Sequence, residues 1–514
     1  MPTDDPIWTD FIAMPDMIAA TAREAPDRRA LVDETHAITY AELDAGMDRV
    51  AASLRSHGFA TRDSIAICAL SSVEYLVVFL GALRAGVAVA PLAPSSTPAS
   101  LAAMVTDCGA QVLFLDESTR ETFDSVASAC PRVSLDDGAA GEPFTHWIAP
   151  HGARPAAVAI APDWTFNIIY SSGTTGAPKG IDQPYGMRWM HIRRAGMFKY
   201  DASAITLVST PLYSNTTLVS VFPALAGGGC VVLMKKFEAR AFLALAQKER
   251  ATHAMLVPVQ YSRIMALPDF DQFDLSSFRM KFATSAPFGA ALKRDVLRRW
   301  PGGLVEYYGM TEGGGTCILV AHEFPDKLHT VGRAAEGHDV RLIDEQGREL
   351  PPGEIGEIVG HSGGTMLGYH NLEAKTHEAE WFDAEGRRFI RTGDVGRFDA
   401  DGFLTLMDRR KDMIISGGFN IYPSDLEAIL SQHPAISESA VVGVPSKSWG
   451  ETPVAFVTPA AGASLDVEEV RAWVNARVGK TQRLTAVRTL EHLPRSMIGK
   501  VLKRELREMF GEAE

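Results

Sequence analysis

The chain alternates between two kinds of apolar pattern. Short apolar runs of four to six residues are separated by stretches with apolar residues at helical spacing. Residues 15–60 read as helical, with a short strand pair around Ala30–Thr39. Thr39-Tyr-Ala-Glu42 has the capping-box pattern, with Thr39 as N-cap and Glu42 at the third helical position. The pattern then predicts strand Ser64–Leu70, helix Val73–Ala85, strand Val87–Pro91, helix Ser100–Cys108 and strand Gln111–Leu115. The stretch 117–162 has no clear periodicity. Phe166–Tyr170 is a further apolar run and reads as a buried strand.

The same rhythm resumes with strand Ala204–Ser209, helix Leu218–Ala226, strand Gly229–Met234 and helix Ala239–Glu249. Strands His253–Val257 and Lys281–Thr284 follow, and Leu304–Val305 is strand-like. Short apolar strands between helices imply parallel sheets covered on both faces. From about Val331 the texture changes to hairpins: Val340–Asp344, Gly356–Gly360 and Trp381–Asp408, with turns at 345–347, 384–386 and 400–402. The last hundred residues carry their own pattern: helix Pro423–Leu430, strands Ser439–Val444 and Thr452–Val457, and helix Val467–Val478. The fold class is therefore α/β. It comprises a large N-terminal domain (1–407) with parallel-type sheets flanked by helices and a β-rich subdomain, and a small α+β C-terminal domain (413–514). The polar run Asp408–Asp412 between them reads as a hinge.

At 514 residues the chain exceeds one compact core, and 46% hydrophobic with 22% charged residues is a globular composition. A net charge of −13 argues against nucleic acid or an anionic membrane as the main partner. Five scattered cysteines without a C-x-x-C fit neither a disulfide framework nor a zinc site. The N-terminus lacks a signal-peptide shape, and the apolar stretch Tyr75–Pro94 is broken by Arg84 and glycines, so no transmembrane segment is expected. A cytoplasmic location is the simplest expectation.

Candidate chemistry concentrates after Phe166–Tyr170. In Tyr170-Ser-Ser-Gly-Thr-Thr-Gly-Ala-Pro-Lys-Gly180 the ten residues after the tyrosine carry four hydroxyls, three glycines and one lysine. Glycines let backbone N–H groups turn toward an anion, hydroxyls add donors and Lys179 adds charge, so the segment is expected to hold phosphate. Its spacing is not that of G-x-x-x-x-G-K-[ST].

Three further stretches join it: Glu306-Tyr-Tyr-Gly-Met-Thr-Glu312, Arg391-Thr-Gly-Asp394, and Asp408–Pro423 leading to Pro494-Arg-Ser-Met-Ile-Gly-Lys500. Together, in this order, they resemble the adenylate-forming (AMP-binding) superfamily, in its acyl-CoA synthetase branch. The resemblance spans nearly the whole chain. It implies the adenylate-forming enzyme fold with a mobile C-terminal domain, and the substrates and cofactors ATP, Mg²⁺ and coenzyme A. A carboxylic acid would react with ATP to give acyl-adenylate and pyrophosphate, and a thiol would then displace AMP.

The resemblance also implies roles. Ser171, Ser172, Gly173, Thr174, Thr175, Gly176 and Lys179 would cradle the β- and γ-phosphates. Ser285, Ala286 and Pro287 would run beside the adenine, with Tyr308 stacked on it and Gly309 and Met310 following. Thr311 would donate to the α-phosphate, and Glu312 would hold Mg²⁺. Asp394 would accept from the ribose hydroxyls and Arg409 would contact the ribose and phosphates. Lys500 would bridge carboxylate and α-phosphate during adenylation. Lys411 would be the hinge, and Ser416, Gly417 and Gly418 would form a channel face for coenzyme A.

The acyl pocket is expected around Tyr213, Ser214, Asn215 and Thr216, with Met255–Gln260, Ala283–Ala286, and Gly313 and Gly314 leaving room beside the adenylate. Ser214 stands where the family commonly has histidine, Tyr307 where a smaller residue often precedes the stacking tyrosine, and Phe419 where glutamate is frequent. None of the expected walls carries a charge apart from Glu312, and burying an unpaired substrate charge is unfavourable. A bulky apolar acid is expected: aryl, fatty or steroid-type. Three other readings remain open: an adenylating enzyme that loads a separate carrier protein, an oxygenase of the luciferase type that shares the adenylation half, and a non-catalytic ATP- or acyl-binding regulator.

Overall fold

The computed structural model describes residues 10–125, 130–171, 179–193, 195–409, 412–416, 419–446, 449–460, 462–479, 482–496 and 499–511. The chain divides into two compact units. One comprises residues up to 328 with 334–339 and 360–390; the other comprises 329–333, 340–359 and 391–514.

The first unit is built on two sheets. In one, Arg29–Val32, Cys230–Leu233, Ile205–Val208, His253–Leu256, Met280–Ala283 and Gly303–Tyr308 lie side by side in that order, all parallel. Ala37–Thr39 pairs antiparallel with the first of these and Cys317–Val320 with the last. In the other sheet Thr165–Ser171, Ala88–Pro91, Ser64–Cys68, Ala110–Leu115 and Arg132–Ser134 are parallel neighbours. The strands are mostly apolar and largely buried because helices cover them: Val73–Arg84 is buried at ten of its twelve positions. The capping box at Thr39 is present: the Glu42 carboxylate accepts from the Thr39 N–H at 2.7 Å and the Glu42 N–H donates to the Thr39 hydroxyl.

Two departures from the expected pattern matter for the site. Lys179–Pro184 is a strand, not the tail of a loop, and it returns antiparallel along Thr165–Ser171 with Ser171 opposite Lys179. Gly368–Tyr369 adds a further antiparallel strand on its outer side. The helix after Pro211 also begins earlier than its apolar period shows, at Asn215, because Thr216 and Thr217 are buried there.

The second unit contains the hairpin Phe398↔Leu404, turning at Gly402 with φ +79°, and the sheet Phe419–Ile421, Ile414–Ser416, Gly450–Pro459, Ile436–Ser446. Ala486–Thr489 joins Gly450–Pro459 in parallel, and Pro423–Leu430, Val467–Asn475 and Lys503–Gly511 are helices. Among the described residues no helix is long and apolar enough to cross a membrane.

One buried ion pair anchors the strand that leads into the Tyr308–Glu312 stretch. Lys293 on helix Ala290–Arg299 is paired with Glu306, and its Nζ also donates to the Leu328 carbonyl at 2.8 Å. Burial pushes the Glu306 carboxyl up to about 7, opposed by the Lys293 charge. Removing one partner of such a pair leaves a buried charge uncompensated. Lys293→Met should therefore destabilise the fold by about 3–5 kcal/mol. Lys293→Met with Glu306→Leu should recover most of that loss in urea denaturation.

Candidate active site

The site grows from the carboxyl ends of the parallel strands, where α/β sheets present their loops to ligands. Ile205–Val208, His253–Leu256, Met280–Ala283 and Gly303–Tyr308 are consecutive neighbours. The segments following them are Pro211–Thr216, Val257–Gln260, Ser285–Pro287 and Gly309–Glu312, so four stretches from different parts of the chain share one rim.

Hydrogen bonds tie this rim together. The Thr216 and Ser285 hydroxyls lie 2.6 Å apart. Ser285 is held at φ +79°, a left-handed conformation that a non-glycine residue adopts only where its surroundings impose it. Gln183 Nε2 donates to the Thr311 carbonyl at 2.5 Å and approaches Asn215 Oδ1 at 3.4 Å. The Tyr369 hydroxyl donates to Glu312 Oε1 at 2.9 Å. Lys179 Nζ lies 5.2 Å from the Tyr369 ring centre. Lys179, Glu312, Thr311, Asn215, Thr216 and Ser285, chosen from scattered sequence positions, are thus joined in one network. Tyr308 ends its strand and is buried; Gly309 and Met310 carry the chain on to Thr311. Ala286 and Pro287 follow Ser285, and Ser171 closes the strand opposite Lys179. Ser172, Gly173, Thr174, Thr175 and Gly176 lie outside the described residues, as do Lys411, Gly417 and Gly418.

The glycines after Glu312 are there for a different reason from the expected one. A Cβ on Gly313 would stand 2.1 Å from the Gly364 carbonyl oxygen, and one on Gly314 would stand 2.7 Å from the Gly360 carbonyl oxygen. Both glycines have positive φ, +77° and +81°. Backbone packs on backbone here, and the Met366 N–H donates to the Glu312 carbonyl at 2.8 Å. The expectation that Gly313 and Gly314 leave open room is therefore corrected: the space a side chain would take is filled by the 360–366 segment, which clamps the Glu312 loop.

A cluster of aromatic side chains lies elsewhere in the first unit. A small cavity of about 20 Å³, room for about one water molecule, is lined by His191, Phe198, Tyr200, Val219, Pro223, Met255, Phe282 and Tyr307. Its walls are aromatic and mutually packed. Phe282 stacks on Tyr307 at 5.8 Å and on Tyr200 at 5.8 Å, while Phe198 meets both Phe282 and Tyr307 edge-on. Of the expected walls only Met255 lines it. Tyr213, Ser214, Asn215 and Thr216 sit at the start of the helix whose next turns supply Val219 and Pro223. The aromatic residues were not anticipated because they come from strands and a turn more than a hundred positions apart. Tyr307, next to the stacking tyrosine, was the one departure that pointed to them. Tyr369 was also missed; its signal is a tyrosine in a glycine-rich segment, which says nothing until Glu312 is beside it.

In the second unit Asp394 and Arg409 are opposite each other on adjacent antiparallel strands. The Thr392 hydroxyl donates to the Ile358 carbonyl and accepts from the Asp394 N–H at 3.0 Å. Ser416 is buried between Phe419–Ile421 and Gly450. Lys500 closes a turn in which its N–H donates to the Ser496 hydroxyl at 3.2 Å and its carbonyl accepts from the Ser496 N–H at 2.8 Å. Gly499 before it has φ +77°, which favours glycine there.

Fold and site together define a two-unit α/β enzyme with a ligand rim at its strand ends. The model for AMP-binding enzymes matches residues 18–370 and that for the AMP-binding enzyme C-terminal domain matches 425–500. The chain belongs to the AMP-binding enzyme family. It is 33% identical over 94% of its length to indoleacetate–CoA ligase of Aromatoleum aromaticum, covering 95% of that protein. It is 34% identical over 95% of its length to feruloyl-CoA synthase of an Amycolatopsis species, covering 97% of it. Among solved structures, ATP-bound MatB from Rhodopseudomonas palustris superposes with a TM-score of 0.88 at 28% identity, over 98% of this chain and all of that one.

Two of these aromatic rings, Tyr200 and Phe282, stack on a proton-linked group. His253 is buried, stacks on Tyr200 at 4.4 Å, accepts at Nδ1 from the Thr252 hydroxyl and donates from Nε2 to the Phe198 carbonyl at 2.9 Å. Burial pushes it down to about 4, with the Phe198 carbonyl opposing. A folded value below the unfolded one means that stability is complete above about 6.5 and is lost as pH falls toward 4. The loss attributable to this group is about 3 kcal/mol. His253→Gln should remove most of that pH-dependent part when urea denaturation is compared at pH 7.5 and pH 4.

Proposed function

We propose that this chain is an ATP-dependent, AMP-forming carboxylic acid–CoA ligase acting on aromatic acids. The observation that carries the substrate class is the cluster of Phe198, Tyr200, Phe282 and Tyr307 around a small cavity, which would have to open to admit an acid. Aromatic rings pack well in offset or edge-on arrangements, and such walls offer a planar acid both. The relatives named for indoleacetate and ferulate, both acids with an aromatic ring, support the same class.

In the first step a carboxylate oxygen attacks the α-phosphorus of ATP, the bond to the β-phosphate oxygen breaks, and pyrophosphate leaves. In the second, the coenzyme A sulfur attacks the acyl carbon, the acyl–oxygen bond breaks, AMP leaves and the thiol proton is released. Both steps gather negative charge, so the protein's share is preorganised donors and cations. Ser171, the segment 172–176 and Lys179 hold the leaving pyrophosphate. Thr311 donates to the α-phosphate, Ser285–Pro287 and Tyr308 bind adenine, and Asp394 and Arg409 bind the ribose side. Lys500 supplies the positive charge that lets carboxylate and phosphate approach. Ser416 and the two glycines after it serve the thiol half, and Lys411 is the hinge.

Magnesium fits the donor set. Glu312 offers a hard carboxylate oxygen fixed by Tyr369, and among the described residues no cluster of three acidic or soft ligands would compete with phosphate oxygens for the ion. Glu312 would hold the ion, whose charge would neutralise that of the phosphates. Five cysteines without a disulfide support a cytoplasmic location.

Acid-dependent pyrophosphate release should be measured over aryl, fatty and steroid acids with coenzyme A present. Arylacetic and arylpropenoic acids should lead; preference for long-chain or steroid acids would overturn the reading. Tyr307→Ala should raise KM for aryl acids about two- to tenfold, the value of one lost ring contact. Lys500→Ala should lower pyrophosphate release by about a hundredfold or more, with thioester formation from supplied acyl-adenylate nearly intact. Equal loss in both would remove Lys500 from the adenylation step.

A further inference from the structure

The most unusual charge in the first unit is Arg188. It lies on helix Tyr185–Arg193 and is 1% exposed. Its partners are amide oxygens. Nε and Nη2 donate to Asn167 Oδ1 at 3.0 and 2.8 Å, Nη1 donates to Asn215 Oδ1 at 2.8 Å, and Nη2 donates to Gln183 Oε1. Phe166 and Phe222 face the guanidinium at 5.7 and 5.9 Å. Burial pushes the group down to about 9. Among the described residues no carboxylate pairs with it. A core guanidinium without a counter-ion is unfavourable, and an apolar side chain would fill the same place more stably.

What the arrangement achieves lies at its far end. A guanidinium only donates, so whatever faces it must present oxygen. Asn167 and Gln183 are opposite each other on paired strands, and Asn167 Nδ2 donates to Gln183 Oε1 at 2.9 Å. With two donors on its oxygen, the Gln183 amide has one orientation, and its Nε2 points to the Thr311 carbonyl at 2.5 Å. Arg188 thus fixes the direction of a donor that grips the backbone immediately before Glu312. The same guanidinium holds Asn215, whose neighbour Thr216 bonds Ser285.

We propose that Arg188 and Gln183 are positioning residues for adenylation: the buried guanidinium locks the Gln183 amide, which holds the Thr311 carbonyl and so sets the Thr311–Glu312 loop for reaction. This rests on the reading that Thr311 and Glu312 serve the adenylation step.

Gln183→Glu separates the two roles the network could have. The carboxylate still accepts from Arg188 and Asn167 and gives the guanidinium a counter-charge, yet it has no proton to donate to Thr311. The melting temperature should hold or rise. The kcat of acid-dependent pyrophosphate release should fall at least tenfold, with KM for ATP and acid changed less than threefold. Unchanged kcat in this variant, or a loss accompanied by a matching drop in melting temperature, would overturn the proposal. Gln183→Met, which removes the donor without adding charge, decides in the same way if Gln183→Glu does not fold. Thr311→Ala and Glu312→Gln run alongside. If both keep full pyrophosphate release, the reading of the loop fails and the proposal with it. If they lose it while Gln183→Glu does not, the proposal alone fails.

Discussion

Neighbouring parallel strands that end together force their loops together. Ile205–Val208, His253–Leu256, Met280–Ala283 and Gly303–Tyr308 end along one edge, and the segments leaving that edge carry Thr216, Gln260, Ser285 and Thr311. Without that constraint these residues would have no reason to meet. With it, two hydroxyls 2.6 Å apart link Thr216 to Ser285 across 69 positions of chain. The second sheet brings its own antiparallel strand, Lys179–Pro184, so that Lys179 at its start and Gln183 near its end serve different parts of one network.

Around this edge the molecule uses two opposite means of holding a loop. The Glu312 loop is clamped by backbone on backbone, where Gly313 and Gly314 meet the Gly364 and Gly360 carbonyls and any side chain would collide. The Thr311 carbonyl is held by a directed polar chain from Arg188 through Gln183. The first means is steric and tolerates no added atom. The second is electrostatic, and places an uncompensated cation in the core to fix one amide. Tyr369 completes the arrangement by setting the Glu312 carboxylate from the side of Lys179.

The aromatic cavity follows the same logic on the apolar side. Phe282 and Tyr307 come from adjacent strands, Phe198 and Tyr200 from the turn before Ile205–Val208, and ring packing among them leaves only a small cavity. His253 beneath them stays neutral because burial disfavours its charge.

Much of this was legible in the amino-acid sequence. Short apolar runs and helical spacing located most elements of both units, since the apolar pattern reflects which faces are buried. Helix Ala239–Glu249 and helix Pro423–Leu430 fall where their spacing puts them. Motifs with unusual local chemistry, Tyr170–Gly180 and Glu306–Glu312, stood out because donors and glycines at close spacing have few other uses. What only the tertiary structure decided are the partners: Tyr369 for Glu312, Gln183 for Thr311, Lys293 for Glu306, and four aromatic side chains for one cavity. The Tyr170–Gly180 phosphate-type stretch could be read locally because its chemistry sits in consecutive residues. The cavity and the Arg188 network could not, because they arise where strands distant along the chain come within about 5 Å of one another, a distance that sheet order sets and linear spacing does not.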